Sequence, residues 1–250
     1  MEIGFRTDVG RRRKNNQDAV GVFQNQEKVK LAIVADGMGG HQAGDVASHL
    51  TVSDLGKAWE NSNLTEQEDV IQWLLKQIQQ ENEEIFDKGQ QDPSKAGMGT
   101  TIVAVVIIDQ TVLLAHVGDS RFYLLRNGKI KQITEDHSLV NELVKSGEIT
   151  PEMAIHHPRK NVLVRSIGIP GTVEVDLTAL EVTLGDKLLL CSDGLSNMVS
   201  DQEIMRIIDQ AANLDEALDK LIDAANQAGG TDNITVLLID YNEKGEIAND

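Results

Sequence analysis

The 250 residues suffice for one large domain or two small ones, and 40 % hydrophobic with 25 % charged residues is the composition of an ordinary soluble globular chain. A formal net charge of −17 offers no basic field to a nucleic acid or an anionic membrane, which argues against both as partners. It leaves room for a phosphorylated substrate if metal ions and a few arginines supply local positive charge. No apolar run approaches the ~18–20 residues that span a bilayer. The N-terminus Met1-Glu2-Ile3-Gly4-Phe5-Arg6 lacks a signal-peptide core, and the single Cys191, in an apolar run, reads as a buried core residue. A reducing cytoplasm is the expected location.

In chain order, strand-like runs rich in Val, Ile and Leu fall at 2–9, 19–24, 30–35, 100–108, 111–117, 121–126, 187–191 and 234–240. Asp109-Gln110 and Asn127-Gly128 sit between such runs and read as hairpin turns, the second more strongly because both residues tolerate positive φ. Helical periodicity covers 41–60 and about 65–88, with Thr65 and Glu68 as a capping-box signature for the latter. Shorter helices are expected at 138–147, 201–212 and 214–228. Ser200 with Glu203 and Asn213 with Glu216 mark the last two starts, and Gly229-Gly230 the final stop. The polar stretch 135–165, broken by Pro151 and Pro158, reads as an excursion from the core, a lid. Strands in hairpin groups with paired helices between them favour an α+β chain with antiparallel sheets over a doubly wound parallel one. Gly37-Met38-Gly39-Gly40 lacks the lysine and spacing of a nucleotide-binding loop.

Five aspartates lie where these apolar runs begin or end. Asp36 and Asp193 each close a run and precede a glycine, Asp119 follows Val117-Gly118, and Asp18 and Asp232 precede runs. Packed strands can carry such ends to one rim, where carboxylates repel one another unless a hard cation lies between them. Two such cations lower the pKa of a bridging water and clamp phosphoryl oxygens for in-line attack. The lack of a Cys or His cluster at ligand spacing favours Mg²⁺ or Mn²⁺ over zinc. Asp36 is the candidate bridge, with Asp193 and Asp232 on one ion and Asp18 reaching the other through water. Arg13, with its planar fork, is the candidate for phosphate oxygens; Arg11, Arg12 and Lys14 are expected to stay in solvent. Each residue has a plainer reading: Asp-Gly occurs in turns, Asp232-Asn233 could be a turn before a strand, and Asp119 could simply pair with Arg121.

In this order, six stretches resemble the metal-dependent protein Ser/Thr phosphatases, the PP2C or PPM family, from about residue 2 to 241. They are Arg13-Lys14-Asn15-Asn16-Gln17-Asp18, Val34-Ala35-Asp36-Gly37-Met38-Gly39-Gly40-His41, Gly99-Thr100-Thr101, Val117-Gly118-Asp119-Ser120-Arg121, Cys191-Ser192-Asp193-Gly194-Leu195 and Gly230-Thr231-Asp232-Asn233-Ile234-Thr235. The resemblance implies a four-layer α/β/β/α sandwich, a central antiparallel β-sandwich flanked by helices, forming one phosphatase domain over 1–242. Residues 135–165 would be a mobile flap linked to substrate selection, and 243–250 a polar tail. It implies two Mn²⁺ or Mg²⁺ ions, with Asp36 bridging, Gly37 offering its carbonyl oxygen, Asp193 and Asp232 binding one ion, and Asp18 acting through water. Asp119 with Asp193 matches a third-ion site of bacterial members, and Arg13 the phosphate-binding arginine.

Gln17 and Met38 replace the Glu and His of the better-known eukaryotic pattern and look like the bacterial branch. The proton donor is therefore open between His41 and a metal-bound water. The expected reaction is hydrolysis of phosphoserine and phosphothreonine in proteins by a metal-activated hydroxide. The expected partners are phosphorylated proteins and a cognate Ser/Thr kinase, with a monomer as the default. The competing readings are a non-catalytic module on the same fold, which should have lost a metal carboxylate, and a two-metal nuclease, which suits the ions but not the charge.

Overall fold

A computed structural model describes residues 1–39 and 43–242. Strands β1 (Glu2–Asp8), β2 (Asp18–Gln24) and β3 (Lys30–Met38) precede helices α1 (Ala43–Glu60) and α2 (Gln67–Gln91). Five strands follow: β4 (Gly99–Thr100), β5 (Ile102–Ile108), β6 (Thr111–Val117), β7 (Arg121–Arg126) and β8 (Lys129–Gln132). After the short helices α3 (Leu139–Lys145) and α4 (Pro151–Ile155) come β9 (Asp176–Glu181), β10 (Asp186–Cys191), α5 (Asp193–Ser196), α6 (Asp201–Gln210), α7 (Leu214–Gln227) and β11 (Ile234–Tyr241).

Every strand pairing is antiparallel. One sheet runs β1-β11-β10-β7-β8; the other runs β2-β3-β5-β6-β9, with β4 also on β3. Strand side chains alternate between two faces, so one strand can feed two apolar layers. In β3, Ala32 and Val34 join the cluster between the sheets, whereas Leu31, Ile33 and Ala35 pack toward α1 and α2. In β10, Leu188 and Leu190 face the same interior, while Leu189 and Cys191 pack with residues of α6 and α7. Double-sided burial explains why these strands read as continuous apolar runs. The result is the expected α+β four-layer sandwich.

Local signals behave unevenly. Asn127 and Gly128 take φ of 51° and 68° and close the β7–β8 hairpin as expected. Ser200 accepts from the Glu203 amide at 3.3 Å and Asn213 from the Glu216 amide at 2.9 Å, capping α6 and α7. The Thr65–Glu68 capping box does not form: α2 starts at Gln67, with Glu66 at the cap and no side-chain capping bond. The shifted start leaves Glu68 too near the terminus to reach back to Thr65. Strand β9, Asp-Leu-Thr-Ala-Leu-Glu, was not foreseen; it lies at a sheet edge, mostly exposed, and its order comes from pairing with β6.

The flap region holds α3 and α4 and no regular strand. Its base closes through Leu139 N donating to Val162 O at 2.8 Å and Val164 N to His137 O at 2.9 Å. The tail at 243–250 lies outside the described residues.

Leu190 is fully buried between the sheets. Leu190→Ala should lower unfolding free energy by about 2–5 kcal/mol, read as a lower urea midpoint at constant slope. A loss under 1 kcal/mol would contradict this placement.

Candidate metal centre

The centre forms where β2 and β3 begin and end. Asp18 is the first residue of β2, and antiparallel register sets it directly opposite Asp36 of β3. Two like charges so placed destabilise a sheet, yet both carboxyls are drawn out of solvent. Asp18 Oδ2 accepts from Ser192 Oγ at 2.7 Å, while its Oδ1 is buried with no partner among the described residues. Asp36 is fixed through its backbone. Its N–H donates to Thr101 Oγ1 at 2.9 Å, and its carbonyl accepts from Thr100 Oγ1 and the Thr101 amide, each at 2.9 Å.

The other three aspartates come from segment ends. Asp193 opens α5; its Oδ2 accepts from Asn197 Nδ2 at 2.9 Å and its Oδ1 is buried without a partner. Asp119 follows β6 and, with Asp193, lines a cleft of about 520 Å³ whose other walls include Val140, Val144, Ala154 and Ile155 of the flap. Asp232 precedes β11 and accepts from Arg13 at 2.7 Å. Asp18, Asp193, Asp119 and Asp232 all act electrostatically on Asp36, so the five carboxylates are one charged group in space.

Their titration shows the strain of that arrangement. Burial first, then the neighbouring carboxylates, pushes Asp36 well above the usual carboxylate range. Burial chiefly raises Asp18 to about 7, Asp119 to about 8 and Asp193 to about 6, with like-charge neighbours adding to each. Protons or cations must neutralise the group. The orphaned oxygens of Asp18 and Asp193, hard carboxylate donors turned inward, fit a hard divalent ion.

Gly37 donates its N–H to Gln17 O at 3.0 Å, and a Cβ there would lie 2.1 Å from Gly44 O, so packing alone requires the glycine. Arg13 is 48 % exposed and bonds Asp232; its other guanidinium nitrogens make no bond among the described residues. Arg11, Arg12 and Lys14 are exposed, as expected. His41 lies outside the described residues. Asp119 does not pair with Arg121, because Asp136 takes that guanidinium in two parallel bonds, Nε to Oδ1 at 2.9 Å and the terminal nitrogen to Oδ2 at 2.7 Å.

The residues holding the carboxylates had no assigned role in the sequence reading. Ser192 bonds Asp18 and the Thr235 amide, and Thr101 Oγ1 shares a bond with Ser120 Oγ at 2.7 Å. Asn233 ties the arginine loop down, accepting from Gln17 N and donating to Val9 O and Asn15 O. Ser120, Ser192 and Asn233, next to Asp119, Asp193 and Asp232, were the available signal. Another trio of carboxylates, Asp54–Glu81–Glu84, lies on α1 and α2 along a groove of about 650 Å³. Lys57 and Lys88 already pair with Asp54 and Glu84 there.

Comparison with known proteins gives this geometry its context. The family model for protein phosphatase 2C matches residues 9–238. The chain belongs to the protein phosphatase 2C family. It is 49 % identical to the serine/threonine phosphatase stp of Listeria innocua over 251 aligned positions, covering 99 % of this chain and 100 % of that one. The structure of the Streptococcus agalactiae serine/threonine phosphatase superposes with a TM-score of 0.93 at 48 % identity, covering 95 % of this chain and 98 % of that one. The catalytic domain of the phosphatase PstP, solved with two manganese ions, superposes at 0.85 with 37 % identity, covering 97 % and 98 %. The Listeria and Streptococcus relatives are bacterial, in line with the bacterial branch expected from the sequence.

The raised carboxyls predict a sign for stability against pH. A carboxyl whose pKa rises on folding contributes stability below its unfolded value, 3.8 here, and loses it as pH climbs through the folded value. In chelator, the melting temperature should therefore fall between about pH 4 and pH 8, and Mn²⁺ at pH 8 should restore it. Asp36→Asn should flatten the fall; a chelator profile equally steep in that variant would contradict the assignment.

Proposed function

We propose that the protein hydrolyses phosphoserine and phosphothreonine in other proteins, using two divalent cations, Mn²⁺ or Mg²⁺, with a third ion at Asp119. The observation that carries this reading is the convergence of five aspartates on one another, with buried oxygens on Asp18 and Asp193 that have no partner among the described residues. Asp36, Asp193 and Asp232 would hold the inner ions with the Gly37 carbonyl, and Asp18 would act through water. Bound there, such a pair supplies a water acidic enough to attack at neutral pH and screens the phosphoryl oxygens.

The chain's own residues set the stage. Thr100 and Thr101 fix the Asp36 backbone, and Ser192 orients Asp18. Arg13 is tethered by one nitrogen to Asp232, which leaves the rest of its fork to orient a phosphate beside the carboxylates. The cleft between Asp119, Asp193 and the flap is open to a peptide that carries the phosphate. His41 is the side-chain candidate for protonating the leaving serine or threonine oxygen, with water as the other donor.

Residues 1–242 would act as a single domain and as a monomer. Described helices include none long and apolar enough to cross a membrane, which agrees with work in the cytoplasm. A signalling role opposite a Ser/Thr kinase and its substrates follows from the bacterial resemblance. A non-catalytic module is not favoured, because all five carboxylates are present.

The purified protein should release phosphate from a phosphothreonine peptide with Mn²⁺ and stop on chelation. Asp193→Asn should reduce turnover to background with the melting transition kept. Absence of release with Mn²⁺ would remove the enzyme reading, and an active Asp193→Asn would remove that residue from the centre. Arg13→Ala loses one charged hydrogen-bonding group, about 1.5–3 kcal/mol. That corresponds to a ~10–100-fold loss in kcat/KM for an aryl phosphate.

A further inference from the structure

We propose that His137 is a positioning residue that ties the base of the flap to Asp119, and that its ring sets the affinity of the ion Asp119 holds. The inference rests on the phosphatase reading above and adds a residue that the reading does not use.

His137 is buried between two structural units. Its backbone belongs to the flap base: its carbonyl accepts from the Val164 amide at 2.9 Å, and the bridge Ser138–Leu163 continues the pairing. On the other side it clasps the peptide group just before Asp119. His137 N donates to Gly118 O at 2.8 Å, and Gly118 N donates to His137 Nδ1 at 3.0 Å. One residue thus satisfies both the donor and the acceptor of Gly118. The conformation from which the Asp119 carboxyl departs depends on that double bond.

The ring has a defined tautomer. Nδ1 accepts an amide proton, so the neutral imidazole carries its hydrogen on Nε2. Nε2 donates to Asp176 Oδ2 at 3.1 Å, and Arg165 Nη1, which lies 3.4 Å from Nε2, donates to Asp176 Oδ1 at 3.0 Å. Arg165 ends the flap and Asp176 opens β9, so the chain of bonds runs from the flap's exit through Asp176 and His137 to Gly118 and Asp119. This orientation resembles the second layer around a metal site, where partners of the ligand segment fix its direction.

The same tautomer decides against a simpler reading. His116, His137 and Asp176 bring ligand-type atoms within 4.8 Å of one another, and the His116 ring is buried. A cation at that trio would have to take Nε2 of His137, whose proton is already committed, or break the Gly118 bond at Nδ1. The geometry supports an orienting histidine rather than a ligand.

Three variants separate the outcomes. Asparagine can place its Oδ1 where Nδ1 stands and accept from Gly118, whereas alanine cannot, and glutamine reaches toward Asp176 instead. Mn²⁺ binding is measured by calorimetry and by paramagnetic resonance of free ion. Turnover of 4-nitrophenyl phosphate and the melting temperature are measured alongside. His137→Ala should weaken the weakest Mn²⁺ site by ~10-fold or more, with the tighter sites and KM kept and kcat lowered. His137→Asn should bring the weak site back to within about threefold of the wild type, and His137→Gln should not. Unchanged weak-site affinity in His137→Ala would overturn the proposal. So would equal loss in the alanine and asparagine variants, or loss of all sites together with a collapsed melting transition. A wild-type protein that neither binds Mn²⁺ nor turns over would overturn the phosphatase reading and this one with it. An active wild type with an unaffected alanine variant overturns this one alone.

Discussion

Two aspartates face each other across neighbouring strands at a buried end of the sandwich, and the rest of the centre is built around that conflict. Asp18 and Asp36 are register partners, a placement that sheets ordinarily avoid for like charges. Asp119, Asp193 and Asp232 add to the repulsion instead of relieving it. Arg13 meets only Asp232, from a half-exposed position. A group of this kind keeps its charge only when cations enter, so the fold stores a demand for metal at the place where strand ends converge.

Meeting that demand requires a rigid frame. Backbone bonds to Thr100 and Thr101 and the Ser192 hydroxyl hold the central carboxylates on strands anchored by apolar layers on both faces. The frame is stiff because inner strands such as β3 and β10 each serve two cores, so a side chain cannot shift without disturbing one of them. Asp119 and Asp232 lie in loops, and Asp193 opens the short helix α5. Single polar residues pin the neighbouring segments, Asn233 the arginine loop and His137 the peptide before Asp119. The flap is paired to this frame at its base, and Ile155, on the cleft wall, stays exposed.

How much of this was legible depended on the range of the interaction. Ser200 and Asn213 cap their helices as their sequence neighbourhoods imply, because a cap is decided within four residues. Thr65–Glu68 carried the same local signal and failed: α2 starts at Gln67, which puts Glu66 at the cap position. Strand β9 did carry a local signal, Val173, Val175, Leu177 and Ala179 alternating with polar residues, but only pairing with the edge of β6 shows it to be a strand. Arg121 shows the limit for charges: two residues from Asp119 in sequence, it bonds Asp136 instead, since a sequence neighbour on a strand can point away while a distant carboxylate presents both oxygens.

The sequence by itself determined the layers and the identity of the acidic residues. Alternating apolar strands commit side chains to two faces, and aspartates next to glycines mark where strands stop. Only the tertiary structure decided which aspartates meet, that Asp18 lies opposite Asp36, and that Ser192, Asn233 and His137 hold the surrounding segments. The physical reason is that these bonds join residues far apart in the chain. Their geometry is fixed by strand register and sheet packing, which no local pattern encodes.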